Sequence, residues 1–352
     1  MRVITWNMRR ATETSAAWKI LDDLNPDIAL LQEVSSVPKN IKKLYDIKFQ
    51  KAVGKTGKPQ QFGTAIFVKG KILDELPLSS KYDWVNRELE YFAGNLVSCI
   101  VKPNGYPKIN IISVHSPAWP MDISKYPSND VAKVKLKQNP KLWVTEILWS
   151  ALKNANLKDV PWIVGGDLNS SETFDLTFSS GNREILDRME SLGFTECLRK
   201  YNNKLTPTFR NPSDGKLIHQ IDHLFVTDSL YSILKNCIVG DKSVIFGESV
   251  SDHLPIIADF DNPRSVPSDI ENFIKRNKWV FAKTMAEMPH YYIVRDNLSE
   301  NDKKLFDEFD VFIKKNGYTK KFYSKQYTYF NIGHYKYWVI ENILNRDSLE
   351  LN

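Results

Sequence analysis

An α/β domain followed by a small α+β domain is the architecture that this 352-residue sequence predicts. Three observations carry it. Residues 1–260 alternate short Ile- and Val-rich runs with helix-type apolar spacing. Residues 261–269 hold two prolines and two serines with no apolar periodicity, which reads as a linker. Residues 270–352 change composition and become rich in aromatics. The length also suits two domains, at roughly 100–200 residues each.

The strand candidates, in order, are Arg2–Trp6, Asp27–Leu31, Thr64–Val68, Leu96–Val101, Ile109–Val114, Trp162–Gly165, Ile221–Val226 and Ile256–Phe260. Each is short, β-branched in character and bounded by turn formers. Between them, Val144, Ile147, Leu148, Ala151 and Leu152 repeat at the spacing of one helix face. Ile185, Leu186, Met189 and Leu192 do the same, and Gly193 is placed to stop that helix. Residues 50–61, with Lys51, Lys55 and Lys58, read as an exposed basic loop. In the second domain the sequence predicts a helix over Ile270–Arg276, a β-like run over Lys278–Ala282 and a helix from Glu300 to Lys315.

Composition narrows the class. Hydrophobic residues make up 42% and charged residues 26%, which excludes disordered and fibrous chains. Apolar runs such as Ile28–Leu31 are far shorter than the roughly 18 residues of a membrane span. The opening run of Val3, Ile4 and Trp6 is too short for a secretory leader, so no cleaved segment is expected. Cys99, Cys197 and Cys237 form no CxxC pair; neither a disulfide framework nor a zinc knuckle is supported, and a reducing cytoplasm is the expected setting. The net charge of +6 permits a polyanionic partner without demanding one.

Polar clusters sit at the strand ends: Thr5-Trp6-Asn7, Leu31-Gln32-Glu33, Val114-His115-Ser116, Gly166-Asp167-Leu168-Asn169, Ile221-Asp222-His223 and Ser251-Asp252-His253. A rigid sheet brings such ends to one rim. Carboxylate and amide oxygens are hard ligands suited to Mg²⁺ or Mn²⁺, and histidines supply charge or proton transfer to a phosphoryl oxygen. No serine or cysteine stands in a nucleophile context, so water is the expected nucleophile. The reaction class is metal-assisted hydrolysis of a phosphoester. Taken singly, Asn7 and Asn169 would merely close turns and Glu33 would be a solvated carboxylate.

Thr-Trp-Asn, Leu-Gln-Glu, Gly-Asp-Leu-Asn, Ile-Asp-His and Ser-Asp-His-Leu-Pro, in this order, resemble the endonuclease/exonuclease/phosphatase superfamily over residues 1–260. The resemblance implies a four-layer α/β sandwich, with two packed mixed sheets flanked by helices. It implies that Glu33 ligates Mg²⁺ with Asn7 beside it, and that Asp252 completes the metal or water shell. It implies that Asp167 activates water, Asn169 and His253 contact the scissile phosphate, and Asp222 holds His253. His115 falls where deoxyribonuclease I-like members carry histidine and AP endonucleases carry tyrosine. Arg9 likewise replaces the acidic or asparagine residue of AP endonucleases. Arg87 is expected to clamp phosphate and Glu90 to partner His115.

The superfamily leaves the substrate open. A nuclease acting on DNA or RNA is the first reading. A phosphatase or phosphodiesterase on a small nucleotide or phospholipid headgroup is the second, and an inactive nucleic-acid-binding adaptor the third. Trp84, Trp119 and Tyr126 stand beside proposed site segments, where rings can stack on bases. The Trp119–Asn139 insertion, with Lys125, Lys133, Lys135 and Lys137, is either a wall of a phosphate groove or a solvated loop. From Val311 to Ile340 there is no acidic residue, and lysines interleave with ten aromatics. That pattern suits nucleic acid, and also a small sheet that needs large side chains to fold, which is the favoured reading.

Overall fold

Several runs of the first 260 residues are apolar on consecutive positions, and their alternate side chains enter two different cores. Val3, Ile28, Leu30, Ile66, Ile109, Ile111, Ile163, Leu224 and Val226 lie in one fully buried cluster. Their neighbours Ile4, Ala29, Leu31, Ala65 and Phe67 lie in a second, and Ile112, Val164 and Phe225 in a third. A strand buried on both faces must read as continuous hydrophobicity. Each of the Val, Leu, Ile and Phe side chains among these contributes roughly 1.5–3 kcal/mol through burial.

The computed structural model describes residues 1–157, 159–176, 181–261, 290–294, 300–315, 321–322, 327–332 and 335–340. The chain divides into two units, Met1–Asp261 and Asn262–Asn352. In the first unit the strands are β1 (Arg2–Ala11), β2 (Ile28–Val34), β3 (Asp46–Val53), β4 (Pro59–Val68), β5 (Gly70–Glu75), β6 (Leu96–Pro103) and β7 (Ile109–His115). They continue with β8 (Trp162–Asp167), β9 (Phe194–Glu196), β10 (Phe209–Arg210), β11 (Leu217–His219), β12 (Asp222–Thr227), β13 (Leu234–Val239) and β14 (Ile256–Phe260). Two six-stranded sheets form, in the orders β13-β14-β1-β2-β4-β3 and β5-β6-β7-β8-β12-β9. Both are mixed: β1–β2 and β7–β8 pair parallel, and their neighbours antiparallel. The shared core lies between the sheets. Helix Ala17–Leu24 buries Ala17, Trp18 and Leu21 against the outer face of the first sheet. Helices Asp83–Tyr91, Val144–Leu152 and Arg183–Ser191 cover the outer face of the second. This is the four-layer sandwich that the sequence leads one to expect.

Some expectations need correction. Residues 50–61 are not a loop throughout: they end β3 and begin β4, and only the turn between them is irregular. Trp84 and Arg87, which the sequence sets beside proposed site segments, lie on helix Asp83–Tyr91. Three described strands, β3, β5 and β13, lie at sheet edges and carry the polar residues that hid them.

In the second unit, strands β15 (His290–Val294), β16 (Lys321–Phe322), β17 (Tyr327–Ile332) and β18 (Tyr335–Ile340) form a sheet in the order β15-β18-β17-β16. β15 runs parallel to β18, while β17 pairs antiparallel with both β18 and β16. A helix spans Glu300–Lys315, as its apolar spacing and Asn316-Gly317 stop predict. The expected linker beyond Asp261, the Ile270–Arg276 helix and the Lys278–Ala282 run lie outside the described residues. Among the described residues no helix is long and apolar enough to cross a membrane.

Candidate active site

The parallel pairs β1–β2 and β7–β8 end at the same rim. Asn7 and Gln32 are partners in register across the first pair, and His115 and Asp167 across the second. β12 runs antiparallel to β8, so its first residue, Asp222, stands opposite Asp167. The turn before β14 delivers His253 beside β1: Trp6 Nε1 donates to His253 O at 2.9 Å, and Ser251 Oγ donates to Asn7 O at 2.7 Å. Six sequence segments thereby meet at one place.

Their side chains interlock. Asn7 Nδ2 faces Asp167 Oδ2 at 3.1 Å and Glu33 Oε1 at 3.4 Å, while Asn7 Oδ1 accepts from Arg9 N at 3.0 Å. Asn7 thus bridges the two carboxylates as a donor. Asn169 N donates to Asp167 Oδ1 at 2.9 Å, and its Nδ2 reaches Ser116 O at 2.7 Å and Asp167 Oδ2 at 3.3 Å. His253 Nδ1 meets both oxygens of Asp222, at 2.9 and 3.1 Å, and its Nε2 points to Asp167 Oδ2 at 3.9 Å. Phe209 packs its ring 4.9 Å from that of His253.

The backbone is bent to achieve this. Glu33, Asn169 and the consecutive Arg9 and Arg10 all have φ near +50°. Such left-handed residues cost about 1–2 kcal/mol each unless glycine, and they persist where surrounding contacts fix them. The pairing of β1 with β2 shifts register between Asn7 and Ala11, and that of β2 with β4 between Leu31 and Val34. Bulges therefore aim Asn7 and Glu33 out of regular sheet.

Burial sets the electrostatics. It pushes the Asp167 carboxyl well up, opposed by the nearby His253 and reinforced by Asp222. It also raises Glu33, against the pull of Asn7, His253 and Arg10. Burial works to lower His253, but Asp222 and Asp167 more than reverse this and raise it to about 10. Burial, with His253 nearby, drives His115 down to about 4. His115 is therefore neutral at neutral pH, and its 3.7 Å approach from Nε2 to Glu33 Oε1 is not an ion pair.

The donors fit a hard divalent cation. Glu33 is an oxygen ligand with a side chain 21% exposed, its charge is penalised by burial, and Asn7 and Asp167 adjoin it. Asp167, Asp222 and His253 also converge within 4.8 Å. In that trio Asp222 and His253 Nδ1 already satisfy each other, so Glu33 is the better anchor for a cation.

Of the sequence-derived residues, the structure brings together Asn7, Glu33, His115, Asp167, Asn169, Asp222 and His253. Asp252 is half-buried next to them and repels the charge of Glu33. Arg9 joins through its backbone and holds its side chain in solvent. Arg87 and Glu90 do not join: both are exposed on helix Asp83–Tyr91, and the carboxylate facing His115 is Glu33. Trp119 is half-buried in the loop after β7, without a described contact to the cluster. Trp84 is only 2% exposed and packs tilted against Tyr126, ring centres 4.7 Å apart, so it is a core residue and not a platform for a base. His219 lies in β11. His223 is buried on the far side of β12, bonded to Ser170 O at 3.1 Å. Sequence reasoning missed Arg10 and Phe62: the guanidinium of Arg10 lies 5.3 Å from the Phe62 ring and 3.8 Å from Glu33 Oε2. The double Arg-Arg after the Trp-Asn motif was the available signal.

A two-sheet sandwich with carboxylates, amides and a carboxylate-held histidine at one rim defines a divalent-metal-dependent phosphoester hydrolase. The profile of the Endonuclease/Exonuclease/phosphatase family matches residues 4–253, and the chain belongs to that family. An AP endonuclease from Archaeoglobus fulgidus has the same fold, with 21% identity, a TM-score of 0.53, and coverage of 74% of this chain and 99% of its own. A 3'-5' exonuclease from Neisseria meningitidis is similar at 18% identity and TM-score 0.51, covering 74% of this chain and 100% of its own. No curated protein sequence matches significantly.

Proposed function

We propose that the protein is a nuclease that hydrolyses phosphodiester bonds of DNA or RNA with Mg²⁺ or Mn²⁺. The observation that carries this is the linked set of Asn7, Glu33, Asp167 and the His253–Asp222 pair on one rim. A divalent cation held by Glu33, with Asn7 and Asp252 nearby, would neutralise charge on the phosphate oxygens. Water attacks phosphorus in line with the leaving oxygen, Asp167 takes its proton, and the P–O bond to the leaving oxygen breaks as that oxygen takes a proton from solvent. A carboxyl raised by burial is a better acceptor near neutral pH than an ordinary aspartate. His253, kept cationic by Asp222, donates from Nε2 to a non-bridging oxygen as negative charge builds there. Asn169 orients Asp167 and contacts the same phosphate, and neutral His115 flanks Glu33 on the other side.

A polymeric substrate is supported by charge. Residues 47–73 contain no acidic side chain, and Lys51, Lys55 and Lys58 are exposed on the β3–β4 hairpin, whose Phe62 packs 5.8 Å from His115. The two structural neighbours reported above are named as nucleases, which agrees. The test is a cleavage panel of end-labelled single- and double-stranded DNA and RNA, with and without Mg²⁺. Glu33→Gln and His253→Ala should each abolish cleavage. Full activity in either variant would sink the assignment. Turnover of a small phosphoester with every polynucleotide untouched would replace the nuclease with a phosphatase.

A further inference from the structure

Arg9 and Arg10 form the bulge in β1, and two consecutive non-glycine residues in the left-handed region are rare and costly. The bulge is pinned on both sides. Arg9 N donates to Asn7 Oδ1 at 3.0 Å, Ser35 Oγ donates to Arg10 O at 3.1 Å, and Ser35 N donates to Ala11 O at 2.8 Å. The Arg10 side chain it presents is 72% exposed, yet it is not loose: its guanidinium rests against the Phe62 ring at 5.3 Å. Phe62 is itself buried against His115.

The guanidinium donates no hydrogen bond among the described residues, leaving its planar fork of N–H groups uncommitted. Among the described residues its only ion-pair partner is Glu33, and Arg10 Nε stands 3.8 Å from Oε2, beyond hydrogen-bonding distance. The two oxygens of Glu33 face different partners. Oε1 looks inward to Asn7 at 3.4 Å and His115 at 3.7 Å, whereas Oε2 looks toward Arg10. Arg10 thus stands on the outer side of the carboxylate, away from Asp167 and His253, where the cleaved phosphate belongs.

We propose that Arg10, braced on Phe62, binds a phosphate of the substrate other than the one cleaved, and so selects a polynucleotide strand over an isolated phosphoester. This rests on the nuclease reading above and gives it a specificity residue. Arg10 is not needed for bond breaking. It contributes by holding the strand beside Glu33.

The experiment uses the full chain and two substrates, a single-stranded oligonucleotide and bis(p-nitrophenyl) phosphate, which has one phosphate only. Arg10→Ala should raise KM for the oligonucleotide by about 10–100-fold, the weight of one charged hydrogen-bonded contact. The loss on the single-phosphate compound should be at least tenfold smaller. Arg10→Lys, which keeps charge but not the fork, should fall between, and Phe62→Leu should shift KM in the same direction by less. Equal losses on both substrates would overturn the proposal, because Arg10 would then act on the reaction centre through Glu33. A second arm measures oligonucleotide binding by anisotropy in EDTA as salt is varied. The slope of log affinity against log salt should fall by about 0.7 in Arg10→Ala, the value for one phosphate of a single strand. An unchanged slope, or no binding by the wild type, overturns the proposal whether or not the enzyme cleaves. If the wild type binds with the expected slope difference but cleaves neither substrate, the nuclease reading alone fails.

Discussion

His253 Nδ1 lies 2.9 Å from Asp222 Oδ2 and 3.1 Å from Asp222 Oδ1, so a single carboxylate grips the ring from β12 while the ring itself comes from the turn before β14. The pair joins the two sheets: β12 belongs to one and β14 to the other. It also fixes which histidine nitrogen is left to face Asp167. Asp222→Asn keeps the shape but removes the charge that holds His253 as a cation. The expected outcome is a fall in kcat of about 10²–10⁴-fold with little change in KM. Steady-state kinetics with an oligonucleotide, alongside an unchanged circular-dichroism spectrum, checks it. A kcat within threefold of wild type would remove Asp222 from the reaction.

Glu33 is raised by burial and leans on Asn7, so removing its charge should relieve the protein while costing it the cation. Wild-type protein is expected to melt at a higher temperature in excess Mn²⁺ than in EDTA, by the equivalent of about 2–3 kcal/mol at a hundredfold excess over Kd. Glu33→Gln should lose most of that shift, and calorimetric Mn²⁺ binding should weaken with it. A full metal-dependent shift in the variant would place the cation elsewhere.

The interior strands were legible because burial on both faces writes an unbroken apolar run, as in Ile28–Leu31 and Ala65–Val68. The edge strands β3, β5 and β13 were not, because solvent on one side lets Lys51, Lys71 and Lys235 into the pattern. The cluster from Asn7 to His253 was legible because each member follows or precedes such a run. Arg87, expected to clamp phosphate, instead lies on the exposed face of an amphipathic helix, which nearness in sequence to a site strand does not reveal. Arg10 had the Arg-Arg pair as its one signal, but its placement depends on a bulge and on Phe62, 52 positions away in sequence, and neither leaves a periodic signature.

Glu146 sits in the first turn of helix Val144–Leu152, where its Oε2 accepts from Trp143 N at 2.7 Å and its Oε1 from Leu136 N at 3.1 Å. It thereby ties the end of the Trp119–Asn139 insertion to the helix layer. Burial pushes its carboxyl up to about 7, against the pull of the two N–H donors and of Arg188 and Lys135. A folded-state value above the ordinary 4.5 means that its contribution to stability is complete below about pH 4.5 and is lost as pH rises through about 7. Glu146→Gln loses this dependence and turns an amide N–H against one of the donors. The unfolding free energies of wild type and variant should therefore differ by about 2–3 kcal/mol more at pH 5 than at pH 8. Urea titrations at the two values measure it, and a gap independent of pH would refute it.

Gly166 explains why two glycines precede Asp167. Its φ is +151°, and a Cβ built on it would stand 1.8 Å from Val114 O, in the backbone of the neighbouring strand. β7 and β8 can keep the register that sets His115 beside Asp167 only if this position has no side chain. Gly166→Ala must either part the two strands or rotate the peptide that carries Asp167. Backbone cannot yield as a flexible side chain does, so the expected cost is about 2–4 kcal/mol of stability. Because the strain falls next to Asp167, the variant should lose activity even at temperatures where it remains folded. Urea unfolding and kcat at low temperature test the two parts together. Gly165→Ala supplies the contrast, since an added Cβ there meets the side-chain methyls of Leu224 and Leu30 at 2.9 Å, with backbone only at 3.3 Å. It should cost less and spare kcat. Equal damage from both substitutions would mean that the core, and not the placement of Asp167, is what Gly166 protects.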